Sequence, residues 1–445
     1  MLNHFDAKKL QDSLGYVLNV LLGEEQSHVV IKKHIVYSNP QSNLAESVRL
    51  CIVPSGFFGQ GYGTESSLPA LPLKEIDGVP LLYGKPCVQW KDNRLVVYAD
   101  IIASTFFLVT RYEEIVRANV RDEHRRFPGR ESLPYRANFI KRPIVDEYAA
   151  LLRKWLREIG IDIKEPQRNF SVVLTHDIDQ ISKYGRILQP LRQVAKTFLG
   201  REPFGNIIDS ILVPFGAKTD PYDGSELMKL AVDFGNRMHS PLRQSVYFFI
   251  ADGSNYDIYG KEARNFIKRV RDSGATIGLH ASYSAGINPE LIIKEKQALE
   301  EACGFPVRHN RHHFLMWREV KAGWALSKAG ITWDATLGYA DVAGFRLGVC
   351  RPIELFDPVE MKSFGIEEHP LIVMDGTLDS LDYMGLNEEE AFEYCQELIS
   401  QTRRYNGEFV ALWHNSQFTD RTGNYHPRLY RRLLDELCRT RQTFC

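Results

Sequence analysis

The chain has 445 residues, of which 44% are hydrophobic and 25% charged, and its formal net charge is -1. That length suits two or three domains with a sizeable core, in a composition typical of globular proteins. The near-neutral balance excludes a general basic field for nucleic acid or anionic membrane, and no apolar run is long enough to span a bilayer.

The seven cysteines form no C-x-x-C pair. An odd count without that spacing argues against a disulfide framework and a thiolate zinc site, and reduced thiols in a cytosolic protein are the simplest account. Met1 to Leu10 has no signal-peptide layout. Leu10, Leu14, Val17, Leu18 and Leu21 recur instead at helical spacing. The expected location is cytoplasmic.

Up to about Gln167 the signals are mixed α and β and carry little chemistry. Val29 to Val36 and Val48 to Val53 read as strands. Gly59, Gly61 and Gly63 alternate without the spacing of a dinucleotide loop. Leu81 to Tyr83 and Leu95 to Tyr98 read as a hairpin around residues 91–94. Asp100 to Ala118 and Val145 to Ile159 read as helices, and Arg121 to Arg130 as a solvated loop. Glu165-Pro-Gln-Arg168 breaks the pattern, which places a domain boundary there. Residues 1–167 form an accessory mixed α/β domain of unknown role, expected to pack on the second domain and shape substrate access.

From residue 168 to 445, short apolar strands alternate with helices, which implies a parallel sheet or barrel. Phe170 to Asp179 is a β-branched run ending in two carboxylates. Crowded acids at the end of a buried strand call for a cation or a shared proton, although for one such pair alone a solvated turn is the more common account. The pattern repeats, however. His280 follows Leu279, Arg311 and His313 follow the stretch around Val307, Asp334 follows Trp333, Asp375 follows Met374, and His414 follows Trp413. In a (β/α) barrel these C-terminal strand ends share the face that carries the active site.

Carboxylate and imidazole donors without thiolate suit Zn²⁺, with Mn²⁺, Fe²⁺ or Co²⁺ as alternatives. A carboxylate off the metal can take a proton from water, and an imidazole across from it can protonate a leaving amine. An arginine such as Arg311 can keep that carboxylate ionised. The chemistry indicated is metal-assisted amide or ester hydrolysis.

Thr175-His-Asp-Ile-Asp179, Leu279-His-Ala-Ser-Tyr-Ser284, Arg311-His-His-Phe-Leu315 and Leu412-Trp-His-Asn415 resemble, in order and spacing, the motifs of the polysaccharide deacetylases (carbohydrate esterase family four, the NodB homology domain). Asp100 to Phe107, Arg111-Tyr-Glu-Glu114 and Arg142-Pro-Ile-Val-Asp146 further resemble a bacterial branch in which such a barrel follows an uncharacterised N-terminal domain. The resemblance implies a distorted (β/α)7-type barrel that removes an acetyl group, N-acetyl before O-acetyl, from a sugar. It would make Asp177 the general base oriented by Arg311, His414 the general acid, and Asp179 and His280 metal ligands. The family's second motif normally ends in histidine where this chain has Ser284, and an aspartate normally stands where it has Asn415. His313 is the expected replacement ligand, ahead of His312 and His309, because strand-like alternation projects it to the same side as Arg311. Tyr283, Trp317, Tyr339 and Trp413 are the expected sugar-stacking aromatics. With no export signal or anchor, the expected substrate is a sugar nucleotide or lipid-linked saccharide of surface-polysaccharide metabolism. The alternatives are hydrolysis of a non-sugar amide and a carbohydrate-binding relative without catalysis.

Overall fold

The computed structural model describes residues 7–23, 33–163, 167–184, 205–238, 243–252, 256–419 and 423–439. Half of the expected first strand (residues 29–32) and part of the expected domain boundary (residues 165 and 166) lie outside them. No helix among the described residues is long and apolar enough to cross a membrane.

A smaller mixed α/β unit comes first. Its four-stranded sheet has strands β1 (Ile35–Tyr37), β2 (Leu50–Ile52), β5 (Gly84–Lys91) and β6 (Arg94–Ala99) in the order β1-β2-β6-β5, with a separate hairpin of β3 (Lys74–Ile76) and β4 (Val79–Leu81). The hairpin around residues 91–94 thus pairs β6 with Gly84–Lys91, antiparallel, rather than with Leu81 to Tyr83. β5 escaped detection because it is an exposed edge strand, with Lys85, Gln89 and Lys91 among its polar residues.

The helix expected over Asp100 to Ala118 is two helices, Ile101–Val109 and Tyr112–Val116. Asp100 caps the first by accepting the Ala103 N–H at 2.9 Å. Every residue of Ile101–Val109 is buried, against the helices Ala7–Leu22 and Ile144–Glu158. Arg111 then takes a left-handed conformation (φ 54°) and breaks the helix. The break turns Arg111 and Glu114 towards the barrel, where Arg111 meets Glu319 at 3.3 Å and Glu114 meets Arg346 at 2.6 Å. Asp146 likewise holds Arg351 at 2.6 Å.

The second sheet has nine strands: β7 (Ser171–Ile178), β8 (Arg243–Phe249), β9 (Thr276–Ala281), β10 (His309–His312), β11 (Trp333–Asp334), β12 (Ile353–Asp357), β13 (Lys362–Glu368), β14 (Val373–Met374) and β15 (Glu408–Leu412). Their order is β12-β13-β11-β10-β9-β8-β7-β15-β14. Only β12 runs antiparallel to its neighbour. The sheet curls into a distorted barrel, with helices such as Lys261–Asp272 and Leu291–Cys303 between its strands. Phe266, Ile267 and Val270 are buried on one side of Lys261–Asp272, each contributing about 1.5–3 kcal/mol by leaving water. Asn387 starts Glu388–Arg404 with a reciprocal capping box to Glu390. The parallel strands deliver their C-terminal ends to one face, and the first and last strands of the barrel motif, β7 and β15, are hydrogen-bonded neighbours.

Candidate active site

Alternation along β7 sorts its residues into two sets. Thr175 and Asp177 meet Arg311, whose Nη1 donates to Thr175 Oγ1 at 2.6 Å and to Asp177 Oδ1 at 3.3 Å. His176 points the other way, with its ring 4.5 Å from Tyr247 and Nδ1 at 3.1 Å from the Trp413 carbonyl. Burial holds the His176 pKa down at about 3, so it stays neutral. Arg311 is completely buried, and its Nε donates to the Ala335 carbonyl at 2.8 Å.

Asp179, His280 and His313 converge beside this pair, with one ligand atom from each lying within 4.8 Å of the others. His280 Nδ1 lies 2.9 Å from the Arg311 carbonyl. A carbonyl only accepts, so Nδ1 carries the hydrogen and Nε2 presents its lone pair. Nε2 lies 3.4 Å from both Asp177 Oδ2 and Asp179 Oδ1, and makes no hydrogen bond. A lone pair facing two carboxylates is repelled unless a proton or a cation lies between them. His313 Nε2 is 3.5 Å from Asp179 Oδ1. Tetrahedral zinc with bonds of about 2.0–2.1 Å separates its ligand atoms by roughly 3.4 Å, so the spacing and the donor chemistry both fit a divalent ion. Burial opposes the charged forms here, but the imidazoles of His280, His313 and His414 hold Asp179 well below the usual carboxylate range. Against the same burial, Asp177 and Asp179 raise His280.

His414 stands across from Asp177. Its Nδ1 lies 2.7 Å from Asp375 Oδ1, its backbone N–H donates to Asp375 Oδ2 at 2.6 Å, and its Nε2 lies 3.7 Å from Asp179 Oδ2. Burial works against the imidazolium, yet Asp375 outweighs it and pushes the pKa up to about 10. Asp375 stands among the strand-end residues, but its place in the sequence alone gives it no role. Its partnership with His414 follows from the pairing of β14 with β15. Asn415 instead ties loops together, donating at 2.7 Å to the carbonyls of Gln180 and Tyr222.

His312 is buried behind the site, with Nδ1 at 3.1 Å from Asn310 Nδ2, and burial holds its pKa at about 4. His309 shares the face of Arg311 but stands at the start of β10, away from the cluster, with its ring tilted against Trp333 at a centroid distance of 4.9 Å. Ser284 is exposed. Asp334 forms a second buried group, accepting from Asn310 Nδ2 at 2.6 Å and from Thr336 N–H at 3.0 Å.

Three of the four expected sugar-stacking aromatics prove to be packing. Trp413 is wholly buried, 5.1 Å from the Tyr430 ring. Neighbours along an extended strand face opposite sides, so a site-facing His414 sends Trp413 into the core. Trp317 is buried beneath the Arg111 guanidinium at 5.1 Å, and Tyr339 beneath that of Arg346 at 5.0 Å. Tyr283 remains at the site's rim, half-buried, with its ring 5.4 Å from Phe314.

The loop Arg121 to Arg130 is not simply solvated either. Arg126 is buried and donates to the Phe314 carbonyl at 3.1 Å and to the Tyr383 hydroxyl at 2.9 Å. Gly129 N–H donates to Asp341 at 2.7 Å. The His124 ring sits 4.5 Å from Phe314, whose own ring is 4.5 Å from His313. The first unit therefore reaches the rim of the site. Arg126 and Arg130 are engaged by partners distant in sequence, which the local pattern does not reveal.

In comparison with known proteins, the model of a family described as "Family of unknown function (DUF7033)" matches residues 7–160. No curated protein matches the chain. Among solved structures, the chain is similar to one from Mycobacterium smegmatis described as a "putative polysaccharide deacetylase". The two share 16% identity and a TM-score of 0.39, over 62% of this chain and 86% of that one.

Proposed function

We propose that the chain is a metal-dependent carbohydrate deacetylase, which hydrolyses the N-acetyl group of a cytoplasmic sugar nucleotide or lipid-linked saccharide. The observation that carries this reading is the convergence of Asp179, His280 and His313 between the Asp177–Arg311 pair and the His414–Asp375 pair. When bound to the three ligands, a divalent cation supplies Lewis acidity towards the acetyl carbonyl and acidifies water. Asp177, held by Arg311 at 3.3 Å, takes a proton from the attacking water. The water oxygen bonds to the carbonyl carbon. His414 Nε2 gives its proton to the sugar nitrogen as the C–N bond breaks, releasing acetate and a free amine. Asp375 fixes the His414 ring through Nδ1, which leaves Nε2 as the donor. Tyr283 offers one sugar-facing aromatic surface at the rim.

The test is acetate release from a panel of N- and O-acetylated sugars, sugar nucleotides and lipid-linked saccharides, with metal analysis of the same preparation. Release from an N-acetylated sugar by metal-loaded protein is the expected result. Release from none of the panel by metal-loaded protein would overturn the reading.

A further inference from the structure

At the opposite end of the barrel from the candidate active site, a cavity of about 290 Å³ lies between the helix Ile144–Glu158 and the start of strands β7 and β15. Arg153, Arg168, Arg351 and Arg404 line it, together with Tyr405 and a single acidic residue among those described, Asp146. Asp146 is already engaged by Arg351 Nε at 2.6 Å and by the Cys350 N–H at 2.9 Å. Four guanidinium groups thus surround one carboxylate whose capacity is largely used.

The geometry points to a binding site here for a small polyvalent phosphate anion, such as orthophosphate or a diphosphate group. Arg351 is 8% exposed and is held in place from behind, by Asp146 and by the Val20 carbonyl at 2.6 Å. It forms a fixed cationic wall. Arg168 and Arg404 are exposed at the mouth and can close on a ligand. Arginine forks match phosphate oxygens in pairs, and the cavity volume suits an anion of this size better than a whole nucleotide.

The fold itself accounts for two of the charges. Arg404 lies in the last turn of Glu388–Arg404, where a cation is favoured by the helix dipole, and Arg351 serves Asp146. Neither role extends to Arg168, whose guanidinium is depressed by desolvation and then by the charge of Arg351, although the residue as a whole is exposed. An anion would relieve that repulsion. A phosphate anion bound here would bridge the first unit and the barrel, since Arg153 belongs to one and Arg168, Arg351 and Arg404 flank the other.

The experiment is calorimetric titration of the full chain with orthophosphate and with pyrophosphate, at an ionic strength held constant with chloride. One site per chain is expected, with the dissociation constant raised tenfold or more in Arg168→Gln/Arg404→Gln. Both positions are exposed and remote from the candidate catalytic residues, and thermal melts verify folding. In the wild type, hydrogen exchange should slow at residues 144–158 and 402–408 when pyrophosphate is added. Binding unchanged in the variant, no binding beyond the chloride control, or protection confined to other segments would overturn the assignment. None of these readings requires metal or turnover, so they stand or fall separately from the proposed deacetylation.

Discussion

Replacing Asp375 with asparagine isolates the electrostatic part of the His414 arrangement. Asp375 is wholly buried and spends both carboxylate oxygens on His414, at 2.7 Å to Nδ1 and 2.6 Å to the backbone N–H. Asparagine keeps the shape and one acceptor but removes the charge. A hydrogen bond to a charged partner contributes about 1.5–3 kcal/mol, and 1.36 kcal/mol corresponds to one pKa unit. The His414 pKa, held at about 10 in the parent chain, should therefore fall by about 1–2 units. A general acid must be protonated, so activity is lost as pH rises through this pKa, and the basic limb of the kcat profile should move to lower pH by that amount. The assay is acetate release against pH, with imidazole NMR as an independent reading and a thermal melt to verify folding. A basic limb that stays in place while the protein remains folded would refute the role assigned to the pair.

The Asp177→Asn variant should keep the fold and bind metal, yet lose about 10²-fold or more in kcat, as read by single-turnover acetate release. Losing an outer-shell partner costs a metal site about 10–100-fold in affinity. His313→Ala, which removes a ligand, should therefore weaken zinc binding by more than about 100-fold in competition titrations, whereas His312→Ala should change it little. Trp413→Ala should cost about 3–5 kcal/mol of stability in denaturant melts, the range for a buried tryptophan, and leave the KM of surviving enzyme nearly unchanged. His369, between Glu367 and Glu408, is raised to about 9 by those carboxylates against the opposing effect of burial. Its stabilising contribution is complete below an unfolded-state pKa of about 6.5 and is lost as pH rises through about 9. His369→Gln should flatten the stability profile across that window.

The parts of the site legible in the sequence are those where a polar residue interrupts an apolar strand. β7, β9 and β15 announce Asp177, Asp179, His280 and His414 in this way, because a buried strand has no other reason to end in charge, whereas β10 is polar throughout and Arg311 stands out only through its motif. β14 is two residues long, and β13 carries Lys362 and the adjacent Glu367 and Glu368 with only Phe364 and Ile366 as large apolar residues. Neither carries a strand signal strong enough to show that Asp375 would reach His414. The aromatic assignments failed for a different reason. Composition placed Trp317, Tyr339 and Trp413 near the motifs, but only strand alternation and the arginines packed over the rings decide which way each faces. For Trp413 that alternation was readable from its position next to His414. For Trp317 and Tyr339 the deciding contacts, Arg111 and Arg346, meet only once the two units have packed.

The measurement that bears most directly on the central claim is acetate release by the full chain before chelation, after chelation, and after return of one equivalent of zinc. Hydrolysis of an N-acetylated sugar that disappears with the metal, returns with one ion per chain, and does not return in His280→Ala is the predicted result. Hydrolysis that persists undiminished in metal-free protein would contradict the account.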